Sequence, residues 1–183
     1  MPRKCELDKA IVEYAELEIA VAELIDGRMN HVCAACKKPC CRPDVCAQAV
    51  ESWFLRKVSE HVHGKWWPDD WETRTDPFAL TDTGCMLKAG RPLICRSFVC
   101  DAYVAGYGDL WEAILMGVAS DLLWQAGQIT RSVSVESLDE ASAPKHAAAL
   151  RQRLSDARTQ LDLARKLVDE TRPETGVPAG AHA

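Results

Sequence analysis

Cys33-Ala34-Ala35-Cys36-Lys37-Lys38-Pro39-Cys40-Cys41, with one more cysteine at Cys46, is the stretch on which the reading of this chain turns. A second stretch carries Cys85, Cys95 and Cys100. Together they hold eight of the nine cysteines, and Cys5 stands apart. A C-x-x-C turn points two sulfurs to one side, toward a single ion, and thiolate is a soft ligand suited to zinc, Cu(I) or iron–sulfur clusters. Ligands drawn from two distant stretches also tie the chain together, so that binding contributes to folding. Consecutive side chains diverge, so Cys40 and Cys41 fit a polynuclear cluster, or two neighbouring sites, better than one tetrahedral ion. The bland alternative, that cysteines are small buried hydrophobes, suits Cys5 and extends to Cys46 or Cys100. It does not suit Cys33, Cys36, Cys40 and Cys41 together.

The composition agrees with metal rather than disulfide. An odd number of cysteines leaves one unpaired, and a reducing compartment disfavours disulfides. Nothing at the N-terminus reads as a signal peptide, so a cytoplasmic location is expected. The net charge is −5 with no basic stripe, which argues against nucleic acid as a partner. No apolar run approaches the ~20 residues that span a bilayer, so no membrane role is expected. Lys37, Lys38, Arg42, Arg91 and Arg96 lie in or beside the cysteine stretches and would offset thiolate charge, although each taken alone reads as a solvated cation.

Working outward, residues 7–26 read as an amphipathic helix, with Gly27 as its stop. Residues 31–46 form a cysteine-rich loop broken by Pro39 and Pro43. Residues 45–62 read as one helix, 65–83 as irregular, 109–125 as a helix and 129–135 as at most a short strand. Residues 144–170 form a last helix with an a/d seam through Leu150, Leu154, Ala157, Leu161, Ala164 and Val168. The expected fold is mainly α, a small helical domain built around a cysteine-rich metal-binding loop core with a C-terminal amphipathic helix. Its organisation is a metal-binding domain over 1–140, a helix over 141–171 that packs on the domain or pairs with its own copy in a homodimer, and a disordered tail over 172–183.

The residues Cys33-Ala34-Ala35-Cys36-Lys37-Lys38-Pro39-Cys40-Cys41 and the block Gly84-Cys85 … Arg91-Pro92-Leu93-Ile94-Cys95-Arg96-Ser97-Phe98-Val99-Cys100 resemble the YkgJ-like CxxCxxCC cysteine-cluster proteins, a family named for zinc or iron chelation. The likeness spans residues 31–104, and its more specific half is the downstream RP-x-x-CR-x-F block. Carried over by position, it implies Cys33, Cys36, Cys40, Cys41, Cys85, Cys95 and Cys100 as ligands. The spacing from Cys36 to Cys40 is one residue longer than the usual form. Where the family often has a cysteine, this chain has Asp76, which reads as a turn residue with Cys46 supplying the missing thiolate, the alternative being an oxygen ligand at Asp76 itself. The Gly106-x-Gly108 pair is too weak to carry a nucleotide-type site.

The function expected is a metal-binding protein holding an iron–sulfur cluster, 4Fe-4S or plain iron, for redox, sensing or support of a partner enzyme. Two alternatives stand beside it: a structural zinc-binding interaction module, and an iron-dependent enzyme acting on a small molecule or peptide. No nucleophile and base stand out. His31, His61 and His63 read as solvated rather than ligating. Trp66, Trp67 and Trp71 read as aromatic packing of an irregular loop, with a lid or docking surface as the sharper alternative.

Overall fold

The computed structural model describes residues 2–36, 41–97 and 110–171. Lys37, Lys38, Cys40, Cys100, the Gly106-x-Gly108 pair and the tail from 172 lie outside the described residues. So does the side chain of Arg96. The described chain is mainly α-helical. Its helices are α1 (Pro2–Ala34), α2 (Pro43–Glu51), α3 (Trp53–His63), α4 (Leu93–Ser97), α5 (Leu110–Gly127) and α6 (Ala143–Thr171). A two-residue turn joins the short antiparallel strands β1 (Leu80–Thr81) and β2 (Gly84–Cys85), with Leu80 opposite Cys85.

The larger core is cysteine-poor. Tyr14 and Leu17 of α1, Phe54 and Leu55 of α3, Leu123 of α5 and Leu150 and Leu161 of α6 are all but fully buried in one cluster. This cluster does not confirm the expected cysteine-rich loop core. Helices supply most of it, with Ala89 and Leu93 of the second cysteine stretch inside it and Cys33 packed against it. The a/d seam of α6 explains why: Leu150, Leu154, Ala157 and Leu161 are buried against the chain's own helices, and α6 packs on α1 and α5. Arg151 adds a charged clasp, with Nε and Nη2 donating to Glu13 of α1 at 2.7–3.0 Å and Nη1 to Glu6. These contacts occupy the face that a homodimer through the seam needs.

Three local differences from the sequence reading have physical causes. α1 runs past Gly27 to Ala34, because a glycine costs a helix only about 1 kcal/mol and Val32 and Cys33 pack against the main core beyond it. Residues 45–62 form two helices rather than one. Ser52 sits between them in an extended conformation, and its Oγ accepts the Leu55 N–H at 3.3 Å, capping α3. The region over 129–135 forms one bridge, Gln128 to Ser134, followed by a 3-10 turn at Val135–Ser137.

The segment between Cys85 and α4 is held by side chains from three elements. His63 Nε2, at the end of α3, accepts the N–H groups of Lys88 at 3.1 Å and Ala89 at 3.4 Å. Glu18 of α1, fully buried, accepts Gly90 N–H at 2.6 Å and Arg91 N–H at 3.0 Å. Pro92 has no N–H to place. Glu136 accepts the Leu93 N–H at 2.8 Å. Gly90 has φ +78°, and a Cβ there would meet Ser59 Cβ at 2.5 Å and the Leu55 carbonyl at 2.6 Å. Only glycine lets this backbone lie so close to α3.

Gly90→Ala should therefore lower stability by about 2–4 kcal/mol. Gly117→Ala, in α5 with open space around its Cβ position, should raise it by roughly 0.5–1 kcal/mol. Thermal or urea unfolding of the metal-free protein checks both signs.

Candidate metal centre

The clamp on residues 88–93 sets where the second cysteine stretch lies. Cys85 ends the hairpin on β2, and Cys95 sits in α4, where its N–H bonds the Pro92 carbonyl at 2.9 Å. Across from them, Arg42 precedes α2, Pro43 begins it, and Cys46 falls one turn in. Pro43 suits the first helical turn because that N–H has no helical partner anyway. The helix start thus orients Cys46 and leaves Cys41 two residues ahead of the helix.

Two sulfurs meet closely: Cys41 Sγ lies 3.4 Å from Cys46 Sγ. Cys46, Ala49, Ala79 and Leu87 form a second, smaller apolar cluster, with Cys41, Cys85, Trp66 and Phe78 packed against it. Trp66 stacks on Phe78 with centroids 5.9 Å apart and meets Trp67 edge-on at 6.0 Å. The tryptophan-rich stretch is thus packing material, and it packs around the sulfurs. Below the cluster, Arg91 is 3 % exposed, and its Nε donates to the Leu87 carbonyl. A guanidinium stays charged when buried, so a fixed positive charge is held at the Leu87 carbonyl.

The electrostatics follow the geometry. The Cys46 thiol is brought down to about 7, first by the hydrogen bond shared with Cys41, with the Ala79 N–H helping and burial opposing. The Cys41 thiol is pushed up, first by that same hydrogen bond, then by burial and by the charges of Cys46, Cys85 and Cys95. The shared hydrogen bond thus moves the two thiols in opposite directions.

The sequence-derived ligand set divides accordingly. Cys41 and Cys46 meet, Cys85 packs against the same small cluster, and Cys95 lies on α4. Cys33, on the last turn of α1, packs against the larger core, and Cys36 is exposed, its N–H bonded to the Cys33 carbonyl at 3.2 Å. Cys40 and Cys100 lie outside the described residues. Among the described residues no group of three or more His, Cys, Asp or Glu side chains is closed around one point in metal-ligand fashion. The one measured sulfur pair does fit an ion: sulfurs ~2.3 Å from a tetrahedral centre lie about 3.8 Å from each other, close to 3.4 Å. Asp76 is committed elsewhere, its two carboxylate oxygens each taking a 2.8 Å bond from Arg74. Among the described residues no helix is long and apolar enough to cross a membrane.

Sequence reading missed Glu18 and Glu136 and took His63 as solvated, yet these three side chains dock the second stretch. The only signal was the block Gly90-Arg91-Pro92 itself, where one glycine and one proline mark a backbone in close contact with something. No protein-family model matches this chain, and neither a curated protein nor a solved structure is significantly similar to it.

His63 gives a pH test of the docking. Burial, then the charges of Lys88 and Arg91, hold its pKa below the ordinary 6.5, and only neutral imidazole offers Nε2 as acceptor. The unfolded chain therefore binds the proton more readily. The His63 contribution is complete above pH 6.5 and is lost as pH falls from there through the lowered folded value. Thermal unfolding between pH 7.5 and 5 should show wild type losing more stability than His63→Ala.

Proposed function

We propose that this chain is a metal-binding protein whose centre is held by thiolates of its two cysteine stretches, with Cys41, Cys46, Cys85 and Cys95 as the ligands. The observation that carries this reading is the 3.4 Å approach of Cys41 to Cys46 in a small apolar cluster against which Cys85 also packs. Trp66, Phe78 and Leu87 give these sulfurs partly apolar surroundings. The hydrogen bond from Cys41 lowers the Cys46 thiol toward the deprotonated form a ligand needs.

The sulfur spacing favours one ion shared by Cys41 and Cys46, zinc or a single iron. In a 4Fe–4S cluster each cysteine caps its own iron, and the sulfurs stand farther apart. An ion with four thiolates is closed, so it supplies a cross-link or an electron rather than an open position for substrate. The protein's own residues then do the rest: Ala79 N–H steadies the Cys46 sulfur, and Glu18, His63 and Glu136 fix the second pair. The iron–sulfur reading keeps one observation in its favour, the eight cysteines in two stretches. Those exceed one ion's needs and supply ligands for a cluster or a second site through Cys33, Cys36, Cys40 and Cys100. A partner protein that uses the braced surface, or takes electrons from the centre, belongs to this proposal as well.

Anaerobic purification with elemental analysis and absorption spectroscopy tests it. Wild type should carry metal, colourless if zinc and coloured if iron. Cys41→Ser, Cys46→Ser, Cys85→Ser and Cys95→Ser should each lower metal content by roughly half or more and reduce thermal stability, because binding and folding are coupled. Cys5→Ser, on α1 and exposed, should change neither. Full occupancy in all four site variants rejects the ligand assignment.

A further inference from the structure

Trp66 carries a donor that the fold leaves unanswered. Its indole Nε1 is buried, and no hydrogen-bond acceptor reaches it among the described residues. A buried N–H without a partner costs about 1–3 kcal/mol, and a native fold keeps one only where something compensates. The ring is not loosely placed. It stacks on Phe78, meets Trp67 edge-on, and packs against the cluster that contains Cys46, with Cys41 and Cys85 beside it. Cysteine sulfurs belong to the same cluster, and none of them accepts from Nε1 in this structure. A protonated thiol is a weak acceptor, whereas a metal-bound thiolate bears negative charge and takes an N–H bond well.

We propose that the Trp66 indole N–H is the positioning donor of the metal centre, turning to a cysteine sulfur of the Cys41/Cys46/Cys85 group once that sulfur is metal-bound. The inference rests on the metal-binding reading above and adds a residue that reading does not need. Such a donor withdraws electron density from the sulfur, holds its orientation, and lowers the negative charge the centre presents. Groups of this outer shell tune both affinity and the spectroscopic signature of the ion. Phenylalanine keeps the stacking ring and removes only the N–H.

The test adds cobalt(II) chloride to reduced, metal-free full-length protein. Wild type should give intense sulfur-to-cobalt charge-transfer bands. In Trp66→Phe the bands should remain but move to lower energy, and a chelator should extract cobalt about tenfold faster or more. In wild type loaded with zinc, the assigned Trp66 indole N–H proton resonance should move downfield relative to the metal-free protein, a readout that does not depend on the variant folding. Charge-transfer bands at unchanged energy in Trp66→Phe, or an indole resonance that ignores zinc, overturns the role of Trp66 while leaving the thiolate centre in place. Failure of wild type to bind cobalt or zinc at all overturns both.

Discussion

The docking of one short backbone segment is the constraint on which the rest depends. Residues 88–93 have no sheet or long helix to satisfy their N–H groups, so the fold brings acceptors to them. His63 serves Lys88 and Ala89, Glu18 serves Gly90 and Arg91, and Glu136 serves Leu93. Glu18 is a buried carboxylate, which is costly unless several donors surround it. Here the peptide N–H groups are those donors, so the acid and the backbone each remove the other's desolvation penalty. The glycine at 90 allows the approach and the proline at 92 removes a group that would have gone unserved.

This clamp connects two parts of the molecule that differ in kind. The helical core of α1, α3, α5 and α6 is apolar and closes by itself. The smaller cluster around Cys46 and Leu87 has too few apolar side chains to be a second core of that quality. It holds thiols, aromatic rings and an indole N–H without a partner among the described residues instead. A region so composed gains little from burial alone, which is why the proposed ion matters to it. The helices provide a rigid wall, the clamp fixes the second cysteine stretch against it, and the start of α2 presents the first stretch.

Long periodic elements were legible in the sequence. The helix read at 109–125 is α5, Leu110–Gly127, and the one read at 144–170 is α6, Ala143–Thr171, because apolar residues at three- and four-residue intervals admit no other packing. Interruptions were less legible. Gly27 looked like a stop, yet packing beyond it outweighed its helix cost. Ser52 looked like an ordinary helical residue, yet its hydroxyl caps the next helix. The β1–β2 hairpin, only four paired residues long, is too short to leave a pattern. In the site, the cysteines announced thiolate chemistry through their types and spacing. Which of them lie near one another was not legible, since the second stretch is placed by contacts such as that between Glu18 and Gly90, 72 positions apart in the chain. No local pattern encodes such a pair.

The central claim is that the two cysteine stretches share one pocket, and a trivalent arsenical that bonds two sulfurs at once measures this directly. Reduced, metal-free protein retaining Cys41 and Cys85 as its only cysteines, and folded by circular dichroism, is exposed to one equivalent of phenylarsine oxide. The account expects one arsenical held per chain through both sulfurs, released by a dithiol and resistant to excess monothiol. Two sulfurs that stay singly reactive, with the arsenical washed away by monothiol, would contradict it.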